Sequence, residues 1–328
     1  MKKKLQILVP QYKETEDIIK PLLDSIEVQQ NVDLANDIGV IIVNDGTDVH
    51  LSQEFFNRYS FPIEYHLNEH KGVSATRNAC LDHATADYVM FCDADDMFYN
   101  ACGLYIVFRE FENGGFDSLV SAFIEESREP RTKDPIYINH DMDSTFVHGK
   151  IHRRKFLLEN EIRWNDNLTI HEDSYFNCLC QRLAKNLKYS QTPFYLWRWR
   201  DASVCRHDPK YILKTYNNML DSNDALIEQF LKRERKEDAQ FFATSMIYDA
   251  YFTMNKDEWL NQENKDYRYA TEMRFKEYWK KYKYLHDAIP QDIKVQIIMG
   301  IKNRMYGEGM VLESQTFNEW IKKVEEMV

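Results

Sequence analysis

Four consecutive residues, Asp93-Ala94-Asp95-Asp96, follow directly on an apolar run at residues 88–92. Clustered carboxylates at the end of a buried strand raise the cost of ionising one another. Mg²⁺ is usually held by one or two carboxylates together with substrate phosphates. The cluster therefore indicates a metal–diphosphate site at the carboxyl end of a strand, where open α/β sheets bind ligands. An acidic turn that caps a helix starting near Met97 is the alternative, and the tetrapeptide alone leaves both open.

The segments that would position this cluster alternate between strand and helix. The pattern predicts strands at residues 5–9, 40–43, 63–67, 88–92 and 118–124, and helices at residues 16–29, 73–83 and 104–111. Apolar β-branched runs indicate strands, whereas apolar residues spaced by three and four indicate amphipathic helices. This alternation predicts an α/β fold, with a Rossmann-like, mainly parallel sheet flanked by helices.

The pattern changes twice further along the chain. Residues 125–143 are charged and proline-containing, and they precede predicted helices at 155–160 and 172–184 and strands at 188–200, broken at Pro193. After Asp208-Pro209, helical periodicity at 211–232, 237–254, 268–284, 291–302 and 317–327 predicts an all-helical C-terminal region. We therefore expect two domains, residues 1–208 and residues 209–328.

Length, composition and charge narrow the class of protein. A chain of 328 residues with 44% hydrophobic and 29% charged residues is typical of a soluble globular protein. No apolar run approaches the roughly 18 residues of a membrane-spanning helix. The six cysteines include no Cys-x-x-Cys pair, which fits a reducing compartment. The net charge of −11 weighs against generic DNA binding. We expect a cytoplasmic protein without a membrane span.

Four polar clusters fall at strand ends or helix starts. They occupy residues 9–14 (Val-Pro-Gln-Tyr-Lys-Glu), 44–47 (Asn-Asp-Gly-Thr), 71–78 (Lys-Gly-Val-Ser-Ala-Thr-Arg-Asn) and 93–96. Because the carboxyl ends of parallel strands meet at one edge of a sheet, these clusters should converge there. Together they would supply an aromatic ring, carboxylates, cations and a metal site.

This order of motifs resembles the family 2 glycosyltransferases of the GT-A fold. The resemblance covers roughly residues 4–210 and rests on Val9-Pro10-x-Tyr12 with Glu14, Asn44-Asp45-Gly46, Gly72-x-x-x-x-Arg77-Asn78, Asp93-x-Asp95-Asp96 and Glu172-Asp173. Each motif alone is weak evidence for the family, and the resemblance depends on their order along the chain. The resemblance implies a metal-dependent, inverting glycosyltransferase that uses Mn²⁺ or Mg²⁺ and moves a sugar from a UDP-sugar to a hydroxyl acceptor.

The same resemblance implies residue roles on the donor side. The implied donor-binding positions are Pro10, Tyr12, Glu14, Asp45, Gly46, Lys71, Arg77, Asp93 and Ala94. Asp45 would hydrogen-bond the uracil, and it also fits a tight Asp-Gly turn. Arg77 would be a cation near the nucleotide, with a solvated helix residue as the alternative. The implied metal positions are Asp95, Asp93 and His207, although a surface loop position suits His207 equally well.

Asp173 carries the catalytic role that the resemblance implies. The segment from His171 to Phe176 resembles the family's catalytic-base segment, in which the aspartate deprotonates the acceptor hydroxyl as a general base. In-line attack by that hydroxyl would invert the anomeric carbon. Glu172 would position Asp173 or bind the acceptor. Favourable interaction of both carboxylates with the positive end of a helix is the alternative.

The segment His148-Gly149-Lys150-Ile151-His152 has a second interpretation. Histidines four residues apart share one helix face and suit zinc, but the general-base Glu of His-Glu-x-x-His is absent and Gly149 weakens a helix. The segment instead resembles the family's stretch near the acceptor site. Lys150 with residues 153–155 predicts a basic patch or a solvated face. Trp197 and Trp199 either pack in the core or stack on a sugar.

The acceptor and the C-terminal helices stay open at this point. A polysaccharide, a teichoic-acid-like polymer, a protein and a modified nucleic acid all remain acceptors. The aromatic and basic residues between Tyr267 and Tyr284 would contact an acceptor, form a homo-oligomer or simply pack in a core. A nucleotidyltransferase-like enzyme would need a glycine-rich phosphate loop, which residues 9–14 lack. A non-catalytic nucleotide-sugar-binding module with partner-recruiting helices would bind without turnover.

Overall fold

The computed structural model describes residues 3–141, 143, 145–201, 211–307 and 315–327. The chain divides into two compact units, Met1–Val204 and Cys205–Val328. The predicted fold class is confirmed, with an α/β first unit and a helical second unit over the described residues. The predicted domain boundary between residues 208 and 209 lies outside the described residues and stays a prediction.

A sheet of mixed strand direction organises the first unit. Its strands are β1 (Leu5–Gln11), β2 (Ile38–Asp45), β3 (Ile63–Asn68), β4 (Tyr88–Phe91), β5 (Met97–Phe98), β6 (Ser118–Arg128), β7 (Pro135–His140), β8 (Lys150–Arg153) and β9 (Leu187–Trp197). Within the described part of the chain, the order is β3-β2-β1-β4-β8-β6-β9-β5, and β7 pairs with β6.

Strand direction explains why the polar clusters converge. The neighbours β3, β2, β1 and β4 are all parallel, so the residues that follow each of them lie at one edge of the sheet. β8 then inserts antiparallel between β4 and β6, which a mainly parallel prediction does not anticipate. β9 is parallel to β6, and β5 is antiparallel to β9. β6 and β9 therefore run in the same direction as β1, β2, β3 and β4, so the segments that follow β4 and β9 lie at the same edge of the sheet.

Helices cover both faces of this sheet. They are α1 (Glu16–Glu27), α2 (Leu34–Asp37), α3 (Gln53–Phe56), α4 (Val73–His83), α5 (Gly103–Glu112), α6 (Arg154–Glu159) and α7 (Glu172–Leu183). Side chains alternate between the two faces along a strand. On one face, Ile7 of β1 belongs to a core cluster with Leu22 of α1. On the other face, Phe91 of β4 packs against Trp164 and against Phe176, which lies on α7. Burial on both faces accounts for the continuous apolar run of β2.

Three local details of the structure differ from what the sequence pattern indicated or left open. Met97 starts the short strand β5 rather than a helix, and α5 begins only at Gly103, so the acidic tetrapeptide caps no helix. The charged stretch after residue 124 continues β6 to Arg128 and returns as β7. Pro193 does not break β9, because it lies where the β6–β9 register shifts and no ladder hydrogen bond is required of it.

The second unit is built from helices in its described part. These are α8 (Tyr211–Lys214), α9 (Tyr216–Lys232), α10 (Lys236–Met254), α11 (Asp257–Leu260), α12 (Lys265–Ala288), α13 (Gln291–Gly307) and α14 (Phe317–Glu326). The aromatic stripe of α12 is mostly core, because Phe275, Tyr278, Trp279 and Tyr282 are buried. Across the described ranges, no helix combines the length and apolarity needed to cross a membrane.

Replacing Leu22 with Ala should cost about 2–5 kcal/mol of unfolding free energy, because this buried α1 side chain would leave a cavity under the sheet. The measurement is urea denaturation followed by circular dichroism. Val28 lies just past the end of α1 and is 60% exposed, so Val28→Ala is the matched control and should change stability by no more than ~0.5 kcal/mol. Equal effects of the two substitutions would contradict this packing of α1.

Candidate functional site

The turn after β2 is built around Asp45 and Gly46. Gly46 has φ +67°, and a Cβ there would lie 2.3 Å from the backbone nitrogen of His70. Asp45 Oδ1 accepts a hydrogen bond from the Lys71 amide at 2.8 Å, and Oδ2 accepts one from the Gly72 amide at 3.1 Å. Asp45 therefore connects this turn to the start of α4 through its buried carboxylate, and the positive φ of Gly46 matches the tight Asp-Gly turn that the sequence indicates.

The loop after β1 lies against the same turn. Tyr12 is 42% exposed and stacks on the His70 ring, with 5.0 Å between the ring centroids. Glu14 accepts a hydrogen bond from the Tyr12 amide at 2.8 Å, and the Thr47 hydroxyl donates to the Tyr12 carbonyl. Pro10 lies within β1 itself. The structure thus brings the nucleotide-pocket positions of the first two motifs into one surface with an exposed aromatic face.

Lys71 behaves differently from its neighbours. Its ammonium group is exposed and lies 3.6 Å from Glu69, while only its backbone amide contacts Asp45. A contact of the Lys71 side chain with donor phosphates stays a prediction. Gly72, with φ +90°, forms the N-terminal cap of α4 and sets the direction of the helix that carries Arg77.

Arg77 lies at the centre of the site. It is 3% exposed, so the solvated helix residue considered for this position is excluded. Its Nη1 donates to Glu172 at 3.0 Å and to Asp173 at 2.8 Å, and its Nη2 donates to Asp93 at 3.0 Å. The guanidinium also lies 4.4 Å from the centroid of the Trp164 ring. One buried cation therefore connects the acidic tetrapeptide to the first turn of α7.

Asp173 lies at the start of α7 with both carboxylate oxygens engaged. Oδ1 accepts from Arg77, and Oδ2 accepts from the Val147 amide at 3.2 Å. Burial raises the pKa of Asp173 to about 7; Arg77 opposes this shift, whereas the charges of Glu172 and Asp93 reinforce it. A carboxyl with a pKa near neutrality is suited to take and release a proton at physiological pH.

The three carboxylates of the tetrapeptide have three different sets of partners. Asp93 contacts Arg77, whereas Asp95 Oδ2 accepts from Arg200 Nη1 at 2.7 Å. Asp96 is 1% exposed; its Oδ2 accepts from the Tyr195 hydroxyl at 2.5 Å and its Oδ1 from the Arg198 amide at 2.9 Å. Asp96 therefore joins the tetrapeptide to the end of β9.

A group of side chains with metal-ligand chemistry occurs at this point. Asp93, Asp96 and His148 each place one ligand atom so that all lie within 4.8 Å of one another. Burial, followed by the charges of Asp95 and Asp93, raises the pKa of Asp96 well above its usual range. A cation would relieve that repulsion, and carboxylate oxygens with one imidazole suit a divalent metal. The residues present therefore fit a divalent ion.

The sequence-derived metal positions map onto this group in part. Asp93 belongs to it, Asp95 lies in the same tetrapeptide and pairs with Arg200, and His207 lies outside the described residues. Asp96 and His148 are members that sequence reasoning did not select. The signal was present for Asp96 in the tetrapeptide itself, whereas nothing in the local sequence places His148 beside Asp93 and Asp96.

The histidine pair at residues 148 and 152 does not form a zinc site on a helix. His152 lies on β8, is buried and contacts the Ser118 hydroxyl at 3.0 Å. Burial and Lys150 lower the pKa of His152 to about 3, so it is neutral at physiological pH. Lys150 is also buried, which rules out the solvated basic face predicted for it. Trp197 packs against Phe146 and His148 with ring centroids 5.2 and 4.9 Å apart.

Comparison with known proteins supplies a second kind of observation. Residues 6–179, more than half of the chain, match the family model described as Glycosyl transferase family 2. The glycosyltransferase EpsJ of Bacillus subtilis (strain 168) is 24% identical over 61% of this chain and 62% of its own length. The glycosyltransferase GlyA of Streptococcus pneumoniae serotype 4 is 26% identical over 62% of this chain. The chain spans only 32% of the length of GlyA.

The solved structure of S. aureus TarS shares the fold. The 1–349 fragment in complex with UDP superimposes with a TM-score of 0.59 at 16% identity, covering 94% of this chain and 92% of the fragment. The same fragment in complex with UDP-GlcNAc gives a TM-score of 0.60 at 16% identity, with 94% and 93% coverage. At this level of identity, the likeness establishes the architecture.

Replacing Gly46 with Ala should displace residues 70–72, because the new methyl group would meet the His70 backbone. We expect the Lys71 and Gly72 amides, which now donate to Asp45, to exchange with deuterium at least ~10-fold faster, because exchange follows local opening. Gly114→Ala is the matched control: Gly114 also has positive φ, at +89°, but a Cβ there would have no atom within 4 Å. Strain of about 1–3 kcal/mol is common to both variants, so unchanged exchange in Gly46→Ala would contradict the steric argument.

Proposed function

Because the chain belongs to glycosyl transferase family 2, we propose that it transfers a sugar from a UDP-sugar to an acceptor hydroxyl with inversion of the anomeric carbon. The observation that carries the proposal is the pair of contacts made by Arg77. The Arg77 guanidinium forms ion pairs with Asp93, which belongs to the group of possible metal ligands, and with Asp173, the proposed general base. A donor site and a proton acceptor are thereby held at a fixed separation, as a transfer between two substrates requires.

The donor side uses the loops after β1 and β2. The exposed part of the Tyr12 ring would contact the uracil, and Asp45 retains acceptor capacity beyond its two amide bonds and the 2.9 Å contact between Oδ2 and His70 Nδ1. Pro10, Glu14 and Gly46 shape the same surface, and Ala94 is a buried small residue within the acidic tetrapeptide. Support for uridine comes from TarS, which shares this fold and was solved with UDP and with UDP-GlcNAc.

The metal site would use Asp93 together with Asp95, Asp96 and His148. A bound Mn²⁺ or Mg²⁺ would supply positive charge to the diphosphate leaving group. The protein's own contribution is to keep several carboxylates close together despite their repulsion, through Arg77, Arg200 and Tyr195. His207 remains a further proposed ligand from the sequence.

Asp173 would act as the general base on the acceptor. Its Oδ1 is held by the Arg77 cation, while Oδ2 receives a single amide bond from Val147 and keeps a lone pair for a hydroxyl proton. In the reaction, the acceptor oxygen forms a bond to the anomeric carbon, the bond from that carbon to the UDP oxygen breaks, and the hydroxyl proton passes to Asp173. Glu172, bound to the same Nη1 of Arg77, would orient this group.

The chemical class of the acceptor follows from the reaction only as far as a hydroxyl group. A polysaccharide, a teichoic-acid-like polymer, a protein or a modified nucleic acid would each supply one. A binding module without turnover is the competing function. It predicts UDP-sugar binding with no UDP release, so calorimetry beside a release assay separates the two.

UDP release from a panel of UDP-sugars should require a divalent ion. We expect activity with Mn²⁺ or Mg²⁺, loss of at least ~100-fold on chelation and recovery when the ion is returned, because the leaving diphosphate needs a counter-charge. Asp95→Ala should reproduce the loss, whereas Asp17→Ala, an exposed aspartate in the first turn of α1, should leave the rate unchanged. Full activity in chelator or in Asp95→Ala would exclude the proposed metal role.

The rate should rise with pH through about 7, because Asp173 must be ionised to accept a proton and its pKa is about 7. Below that value the carboxyl is protonated and the acidic limb should fall tenfold per pH unit. Asp173→Asn should lower kcat by about 10²–10⁴-fold, and UDP affinity measured by calorimetry should stay the same. A folded Asp173→Asn variant with the wild-type rate would show that another group is the base.

A further inference from the structure

The peptide bond between Phe146 and Val147 lies along one turn of α7. Its carbonyl oxygen accepts a hydrogen bond from Asn177 Nδ2 at 2.9 Å, and its amide donates to Asp173 Oδ2 at 3.2 Å. Asp173 and Asn177 are four residues apart on α7, so they share a helix face about one turn apart. Because the carbonyl and the amide of a trans peptide point in opposite directions, holding the oxygen at Asn177 aims the amide at Asp173.

Asn177 has the features of a residue that holds this peptide in place. Its side chain is 1% exposed, and Nδ2 donates to the Thr145 carbonyl at 2.8 Å as well as to Phe146. An amide bonded to two consecutive carbonyls fixes the orientation of both peptide planes. Loss of these bonds would remove the Asn177 donor from the Thr145 carbonyl and would leave the Phe146 carbonyl with Lys150 Nζ, so both peptide planes would be less firmly oriented.

Lys150 holds the same segment from the sheet. Its side chain is 1% exposed on β8, and its Nζ donates to the Phe146 carbonyl and, at 3.4 Å, to the His148 carbonyl. Asp143 lies 4.0 Å from Nζ and is the nearby counter-charge. Two donors from separate elements therefore converge on the Phe146 oxygen. The mechanism described above assigns no role to either residue.

We propose that Asn177 and Lys150 are positioning residues that orient the catalytic carboxylate through the Val147 amide. The inference rests on the proposed function, in which Asp173 takes the acceptor proton. The carboxylate is then fixed at both ends, with Oδ1 bound to Arg77 and Oδ2 bound to Val147. A fixed carboxylate plane directs the remaining Oδ2 lone pair towards the acceptor, and small losses of alignment reduce rate strongly.

A double-mutant cycle tests this role. Asn177→Ala should lower kcat about 10-fold with UDP affinity and donor KM unchanged, because the donor site lies on other elements. Added to Asp173→Asn, Asn177→Ala should lower the residual rate by less than about 2-fold, because it acts through a base that is already absent. The matched control is Asn160→Ala, which removes a similar 2.9 Å bond from an Asn amide to the Phe156 carbonyl at the end of α6. It should leave kcat unchanged.

Rates are expressed per UDP-binding site measured by calorimetry, so loss of folded protein does not imitate the effect. If Asn177→Ala binds no UDP, Lys150→Met removes the second donor to Phe146 and is expected to give the same fall in kcat and the same lack of effect on Asp173→Asn. Wild-type kcat in a UDP-binding Asn177→Ala variant, or an equal fall with and without Asp173, would overturn the inference. Absence of turnover in the wild type, or full activity of Asp173→Asn, would instead overturn the proposed function.

Discussion

The burial of the Arg77 guanidinium is the constraint on which the site depends. A buried cation is costly unless it is paired, and here three carboxylates from two separate segments accept hydrogen bonds from Nη1 and Nη2 of Arg77. Conversely, Asp93, Glu172 and Asp173 would repel one another strongly without the cation between them. The cation and the carboxylates around it therefore stabilise one another. This mutual dependence fixes the start of α7 relative to the end of β4, although the two segments are about 80 residues apart in sequence.

The same arrangement sets the ionisation of the site. Burial alone would lower the pKa of Arg77, but Asp173, Asp93 and Glu172 together raise it above its ordinary value, so this cation stays charged. Asp173 experiences the opposite balance, because burial raises its pKa more than Arg77 lowers it. A permanently charged arginine beside a carboxyl with a pKa near 7 separates the two tasks. Arg77 maintains the geometry, and Asp173 is free to change its protonation state.

Local patterns predicted the parts of this structure that depend on local forces. The helix at residues 73–83 and the strand at residues 63–67 were placed to within a residue. The spacing of four between Ala75, Ala79 and His83 indicates the helix, and the alternation of apolar and polar residues at 63–67 indicates the strand. The antiparallel insertion of β8 and the β6–β7 hairpin were missed, since strand order depends on pairing between distant segments. For the same reason His148 could not be linked to Asp93 and Asp96. The only local indication of a role for Asn177 is its spacing of four residues from Asp173. That spacing does not predict a shared contact with the Phe146–Val147 peptide, because this peptide comes from a distant part of the chain.

The three carboxylates of the acidic tetrapeptide are held by different partners, and these contacts fix its conformation. Asp96 is the most buried, and its bonds to the Tyr195 hydroxyl and the Arg198 amide join the tetrapeptide to β9. With that end fixed, Asp93 and Asp95 are held apart by two different arginines, Arg77 and Arg200. Because Arg200 also lies 3.6 Å from Glu14, its charge is shared between the acidic tetrapeptide and the loop after β1. A rearrangement of Arg200 would therefore alter both Asp95 in the acidic tetrapeptide and Glu14 in the loop after β1. Arg77 would still hold Asp173 in position.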